Sequence, residues 1–201
     1  MGVLSAERVS FSYVDGVPVL SDVSLKVESS ERVALRAPSG FGKSTLCQIL
    51  AGYLAPDEGR VLLDGAPVSV TKGLPNPVQL IWQHPEMTLD PNLRIRDSLA
   101  EVGEVTDELL EGLGVKPTWL ERFPHELSGG ELQRCCIARV LALSPRFVIA
   151  DESTTMLDAI TQVQIWEFLM TYCARHRIGL VVVTHSDALL KRLATRVVDL
   201  V

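Results

Sequence analysis

The stretch APSGFGKST over residues 37–45 carries the strongest chemical signal in the chain. A lysine and two hydroxyl residues that follow a loop with closely spaced glycines form a cradle for phosphate. Gly40 and Gly42 let backbone N–H groups turn inward, and the start of the next helix adds partial positive charge. With Ser39 they form the loop. Lys43 can then reach β- and γ-phosphates, Ser44 has the hydroxyl position for Mg2+, and Thr45 supports the α/β region. Ala37 stands where the pattern GxxxxGK[ST] places its first glycine. A positive φ there would strain the alanine by roughly 1 kcal/mol.

A second signal is FVIADE over 147–152, an apolar strand that ends in two carboxylates. Open α/β sheets place ligands at the ends of their parallel strands. Asp151 there suits a Mg2+ partner, and Glu152 suits a base that polarises an attacking water. The stretch VVVTH over 181–185 repeats the geometry and places His185 where an imidazole can hydrogen-bond a γ-phosphate. His84, His125 and His176 lack such a setting and read as surface or local hydrogen-bonding residues.

The elements that must hold these groups read as an α/β core with a parallel sheet. Strand and helix alternate over 33–50 and again from 147 onward. Helix is expected over 43–51, over 159–174 with Asp158 as N-cap, and over 187–194. Strands are expected over 33–36, 60–63, 78–82, 147–150 and 180–183, and a last one reaches residue 201. Residues 3–27 read as two strands around Asp15-Gly16, a separate antiparallel piece. Short helical patterns over 94–123 interrupt the alternation, so residues 84–127 are expected to form a helical subdomain inserted in one domain that spans 1–201.

The chain has 201 residues, 47% of them apolar, enough for a substantial core. Its net charge of −6 disfavours non-specific nucleic-acid binding. No run approaches the roughly 20 apolar residues that cross a bilayer, and the N-terminal MGVLSAERVSFSY lacks a secretory apolar segment. The cysteines Cys47, Cys135, Cys136 and Cys173 form no CxxC pair and read as buried reduced thiols of a cytosolic protein.

The stretch ELSGGELQRCC over 126–136 is a capping box, Ser128 to Glu131, at the start of a helix whose apolar positions 132, 136, 140 and 143 recur at helical spacing. Gly129 and Gly130 cost up to about 1 kcal/mol each relative to alanine in regular helix, so something must offset them.

In this order the motifs resemble those of the nucleotide-binding subunit of an ATP-binding cassette (ABC) transporter over essentially the whole length. APSGFGKST is similar to the Walker A loop, LSGGE over 127–131 to the family signature, and FVIADE to Walker B with the catalytic glutamate. TMLD, ending in Asp158, is similar to the D-loop. The resemblance makes Tyr13 the aromatic that stacks on adenine, Gln83 the glutamine that senses γ-phosphate and Mg2+ alongside Ser44 and Asp151, and His185 the switch histidine. It also answers the glycine question. Two cassettes, in a homo- or heterodimer, pair head to tail, and Ser128, Gly129 and Gly130 of one close over ATP held by the other. The implied cofactors are ATP and Mg2+. The implied partners are a second ABC ATPase subunit, transmembrane permease subunits and, indirectly, an extracytoplasmic solute-binding protein, with no nucleic acid.

HPEMTLDPN after Gln83 and RFPHELSGGELQR resemble the dipeptide, oligopeptide and nickel import subgroup. That implies a peripheral subunit on the cytoplasmic face of the membrane that energises uptake of a peptide, nickel or a related small solute. Ser153 replaces the usual proline and Met156 a small residue, which bears on how two cassettes communicate. The end at Val201 fits a short natural subunit or a trimmed chain. Two alternatives stay open: a non-transport ABC ATPase acting on nucleic acid or the ribosome, and a weakly hydrolysing regulatory cassette in a heterodimer.

Overall fold

The computed structural model describes residues 2–38, 40–68, 74–154, 157–184 and 186–200. The chain opens with β1 (Val3–Val14) and β2 (Val17–Glu28), then β3 (Arg32–Arg36) and α1 (Lys43–Leu50). Strands β4 (Glu58–Leu63), β5 (Ala66–Pro67) and β6 (Val78–Ile81) follow. Next come α2 (Ile95–Ala100), α3 (Asp107–Gly112), α4 (Pro117–Leu120) and the longer α5 (Gly129–Ala142). The rest is β7 (Phe147–Asp151), α6 (Ala159–His176), β8 (Gly179–Val183), α7 (Asp187–Leu193) and β9 (Arg196–Asp199).

Two compact units share these elements. The first comprises Met1–Leu80, Arg146–Asp151 and Cys173–Val201. It holds an antiparallel sheet in the order β2-β1-β4-β5 and a second sheet in the order β6-β7-β8-β3-β9. In the second sheet β7 pairs with β8, and β8 and β9 flank β3, all in parallel. Its central strands are buried on both faces: Phe147, Val148, Ile149 and Ala150 are inaccessible, as are Leu180, Val181 and Val182. That is why they read as unbroken apolar runs. Leu46, Ile49 and Leu50 of α1 add to this core.

The second unit comprises Ile81–Pro145 and Glu152–Tyr172. Around α5 pack α2, α3 and a 3-10 turn at Pro85–Met87. Contact on several sides widens the buried stripe of α5 to Leu132, Gln133, Cys135, Cys136, Ile137, Ala138 and Leu141, whereas Val140 and Leu143 are only half-buried. The helix expected from the spacing of 132, 136, 140 and 143 is present, with Leu132 and Cys136 on its buried side. All four cysteines are buried and unpaired with one another. Among the described residues, no helix is long and apolar enough to cross a membrane.

Candidate nucleotide site

In the first unit the phosphate-loop stretch joins β3 to α1. Gly40 and Gly42 have φ of 83° and 71°. Gly42 is also the N-cap of α1, and a Cβ there would lie 2.8 Å from the Val19 carbonyl oxygen and from Leu20 Cδ2. Backbone conformation and space therefore both exclude a side chain at Gly42, whereas at Gly40 only the conformation does. Ala37 is not among the described residues with positive φ, so the strain considered for it does not arise. Ser39 lies outside the described residues.

Lys43 is buried, at 6% exposure, and its Nζ donates to the carbonyls of Ala37 and Pro38 at 2.9 Å each. Ser44 is exposed. Thr45 is buried, and its Oγ1 lies 3.2 Å from the phenol oxygen of Tyr13. The Tyr13 ring, 61% exposed, is braced edge-on by Phe11 with centroids 4.9 Å apart. The first turn of α1 leaves its N–H groups outside the helical ladder and available to an anion.

Cys47 ties these groups to the carboxylate at the end of β7. Burial pushes its thiol well above the ordinary value, the charge of Asp151 adds to the rise, and Lys43 opposes it. Asp151 and Lys43 thus act on the same buried turn of α1. The structure brings Tyr13, Gly40, Gly42, Lys43, Ser44, Thr45 and Asp151 into this unit. Beyond β8, Thr184 is buried and Ser186 caps α7, while His185 lies outside the described residues.

The second unit contains Gln83, Ser128, Gly129, Gly130, Glu152 and Asp158. Ser128 caps α5 in a reciprocal box. Glu131 N–H donates to Ser128 Oγ at 3.4 Å, and Glu131 Oε2 accepts from the Ser128 N–H at 2.9 Å. The bond from the Ser128 N–H is the main reason the Glu131 carboxyl lies below its ordinary range. A Cβ on Gly129 would meet nothing within 4 Å, and one on Gly130 would approach Leu157 Cδ2 at 3.2 Å. The internal packing therefore does not require glycine at 129.

A cavity of about 450 Å³ gathers Ser128, Gly130, Lys116, Arg134, Leu157 and Asp158. Asp158 Oδ1 accepts from the N–H groups of Ile160 and Thr161, which makes it the cap of α6 and holds its carboxyl below the ordinary range. Glu152 has φ of 47°, a left-handed backbone that is uncommon outside glycine. Gln83, half-buried, follows Trp82, whose carbonyl accepts from Gln133 Nε2 at 3.1 Å. Gln133 carries no motif of its own in the sequence. A polar residue inside the buried stripe of α5 was the available signal. Met156 lies outside the described residues.

This arrangement has relatives. The ABC transporter family pattern matches residues 20–155. The energy-coupling factor transporter ATP-binding protein EcfA of Methanothermobacter thermautotrophicus is 36% identical over 97% of this chain and 67% of its own length. The nickel import ATP-binding protein NikE of Pseudomonas putida is 33% identical over 98% and 82%, respectively. A probable peptide ABC transporter ATP-binding protein of Sinorhizobium fredii is 32% identical over 90% of this chain, which spans only 56% of that relative. A solved dimeric ATP-binding cassette in a post-hydrolysis state with ADP and phosphate shares the fold at a TM-score of 0.83 and 27% identity, over 98% of this chain and 94% of that one. With the phosphate loop on α1 and the signature box on α5, the chain belongs to the ABC transporter family as an ATP-binding domain.

Proposed function

We propose that the chain is the ATP-hydrolysing subunit of an ABC importer. The observation that carries this reading is the buried Lys43 at the start of α1, preceded by Gly40 and Gly42 in left-handed backbone. That geometry suits a triphosphate. Tyr13 offers its exposed ring to adenine, and the ammonium of Lys43 offsets charge on the β- and γ-phosphates. Glu152 accepts the proton of the water that attacks the γ-phosphorus, so that ADP leaves and phosphate is formed. Gln83 and His185 sense the γ-phosphate.

A magnesium ion would supply charge neutralisation on the phosphate oxygens when bound. Mg2+ asks for one or two carboxylates, with phosphate and water completing the shell. The exposed hydroxyl of Ser44 and the carboxylate of Asp151 are a donor set of that kind. Ser44 and Asp151 would hold it, with Gln83 assisting.

A second cassette, identical or different, completes the site by presenting its own Ser128, Gly129 and Gly130 equivalents. Exposed Gly129, whose absent side chain leaves open space, favours this reading. The whole of 1–201 acts as one nucleotide-binding domain, with 84–127 as its helical inset against transmembrane permease subunits at the cytoplasmic face of the membrane. An extracytoplasmic binding protein delivers the solute, a peptide, nickel or a related small molecule. The unstrained Ala37 favours a hydrolysing cassette over a weakly active regulatory one.

The test is ATP turnover by the assembled transporter with Lys43→Ala. Loss of nucleotide binding and turnover is expected, and full retention of both would reject the site.

A further inference from the structure

The stretch that follows Glu152 is held by one side chain. Thr154, 3% exposed, accepts at its Oγ1 from Trp166 Nε1 at 3.0 Å and from Gln162 Nε2 at 2.9 Å. Its carbonyl accepts from Gln162 Nε2 at 3.2 Å and from the Leu157 N–H at 3.2 Å. The two donors stand one turn apart on α6, so a single face of that helix grips one residue. Trp166 is itself buried, at 2% exposure. Ser153, just before Thr154, gives no such anchor: its hydroxyl is buried with no hydrogen-bond partner among the described residues.

Two residues upstream, Glu152 occupies left-handed backbone, a conformation that a non-glycine residue keeps only where its surroundings impose it. A carboxylate acting as a base must be aimed within hydrogen-bond reach of its water. We propose that Thr154 and Trp166 are positioning residues for Glu152, the indole–hydroxyl bond fixing the direction in which residues 152–154 leave the acidic pair. This rests on the reading of Glu152 as the base.

The distinguishing variants are Thr154→Val, which keeps the shape and removes the acceptor, Thr154→Ser, which restores it, and Trp166→Phe, which removes the donor. In the assembled transporter, Thr154→Val and Trp166→Phe are expected to lower kcat for ATP about tenfold or more, the scale of a small misplacement of a reacting group. KM for ATP should stay within about twofold, and Thr154→Ser should recover wild-type kcat within the same margin. Hydrogen exchange at the Leu157 amide should quicken in Thr154→Val. Wild-type kcat in Thr154→Val, a kcat loss matched by a fall in folded fraction, or unchanged Leu157 exchange each overturn the proposal. Undiminished turnover in Glu152→Gln is a different failure: it removes the base assignment, whatever Leu157 exchange shows.

Discussion

The phenol oxygen of Tyr13 sits 3.2 Å from the hydroxyl of Thr45, so the ring at the end of β1 is tethered to the first turn of α1. Removing the tether and removing the ring should differ. Tyr13→Phe keeps the surface on which a base can stack and should weaken ATP binding by less than about threefold. Tyr13→Ala loses it. Stacking of a base on an aromatic is worth about 1–3 kcal/mol, so affinity should fall about fivefold to 150-fold. Equilibrium binding of a fluorescent ATP analogue distinguishes the two, and equal losses would reject the stacking role.

Glu152→Gln should preserve ATP binding and lower turnover by a factor of about 100 to 10,000, the usual contribution of a positioned general base. Rapid-quench measurement of the hydrolysis step in the assembled transporter provides the check.

Gly129 should show stability and activity moving in opposite directions. Its missing side chain leaves open space within the chain and its φ is not positive, so Gly129→Ala is expected to stabilise the protein by about 0.4–1 kcal/mol. The added methyl would meet a phosphate presented by a second cassette, so turnover should fall. A rise in Tm with undiminished ATPase activity would contradict head-to-tail closure.

Ala37→Gly should leave ATP affinity and turnover within about twofold of wild type, because Ala37 does not occupy the left-handed region and glycine relieves nothing there. Titration calorimetry with ATP tests this directly. Gly42→Ala should be far more damaging, since its Cβ would crowd the Val19 carbonyl and Leu20.

Strand β9 should loosen in acid. Arg196 pairs with Glu31 at 2.7 Å and Asp199 with Arg36 at 2.6 Å. Hydrogen bonds from these arginines are the leading reason both carboxyls lie below their ordinary values of 4.5 and 3.8. Lowered folded values mean that the contribution is fully present above those ordinary values and is lost as pH falls through the lower folded ones. Amide exchange in Arg196–Asp199, corrected for intrinsic rates, should therefore quicken from pH 5 to pH 2 relative to β8. Added salt should weaken the effect chiefly at the exposed Arg36–Asp199 pair, and less at Glu31, whose side chain is only 21% exposed.

Much of this molecule is legible in its residues, for reasons that differ by element. Strands β7 and β8 announce themselves because burial on both faces demands continuous apolar runs. The loop before α1 does so because phosphate chemistry tolerates few spellings. Ser128 and Glu131 spell a local capping box that needs nothing distant. What escapes is whatever depends on residues far apart in sequence. No periodicity joins Thr154 to Trp166, or Gln133 to the carbonyl of Trp82, because each bond exists only after α5 and α6 have packed. The left-handed backbone at Glu152 is equally silent, since a carboxylate carries no mark of its φ.

The antiparallel sheet ends on β2, a twelve-residue border strand. Its register against β1 slips between Ala6 and Val9 and again beyond it, Asp22 turns into left-handed backbone, and Lys26 and Glu28 project outward as charges. A straight ribbon of that length would be a template onto which a foreign strand could zip. The kinks and charges make this margin a poor one for amyloid-like growth.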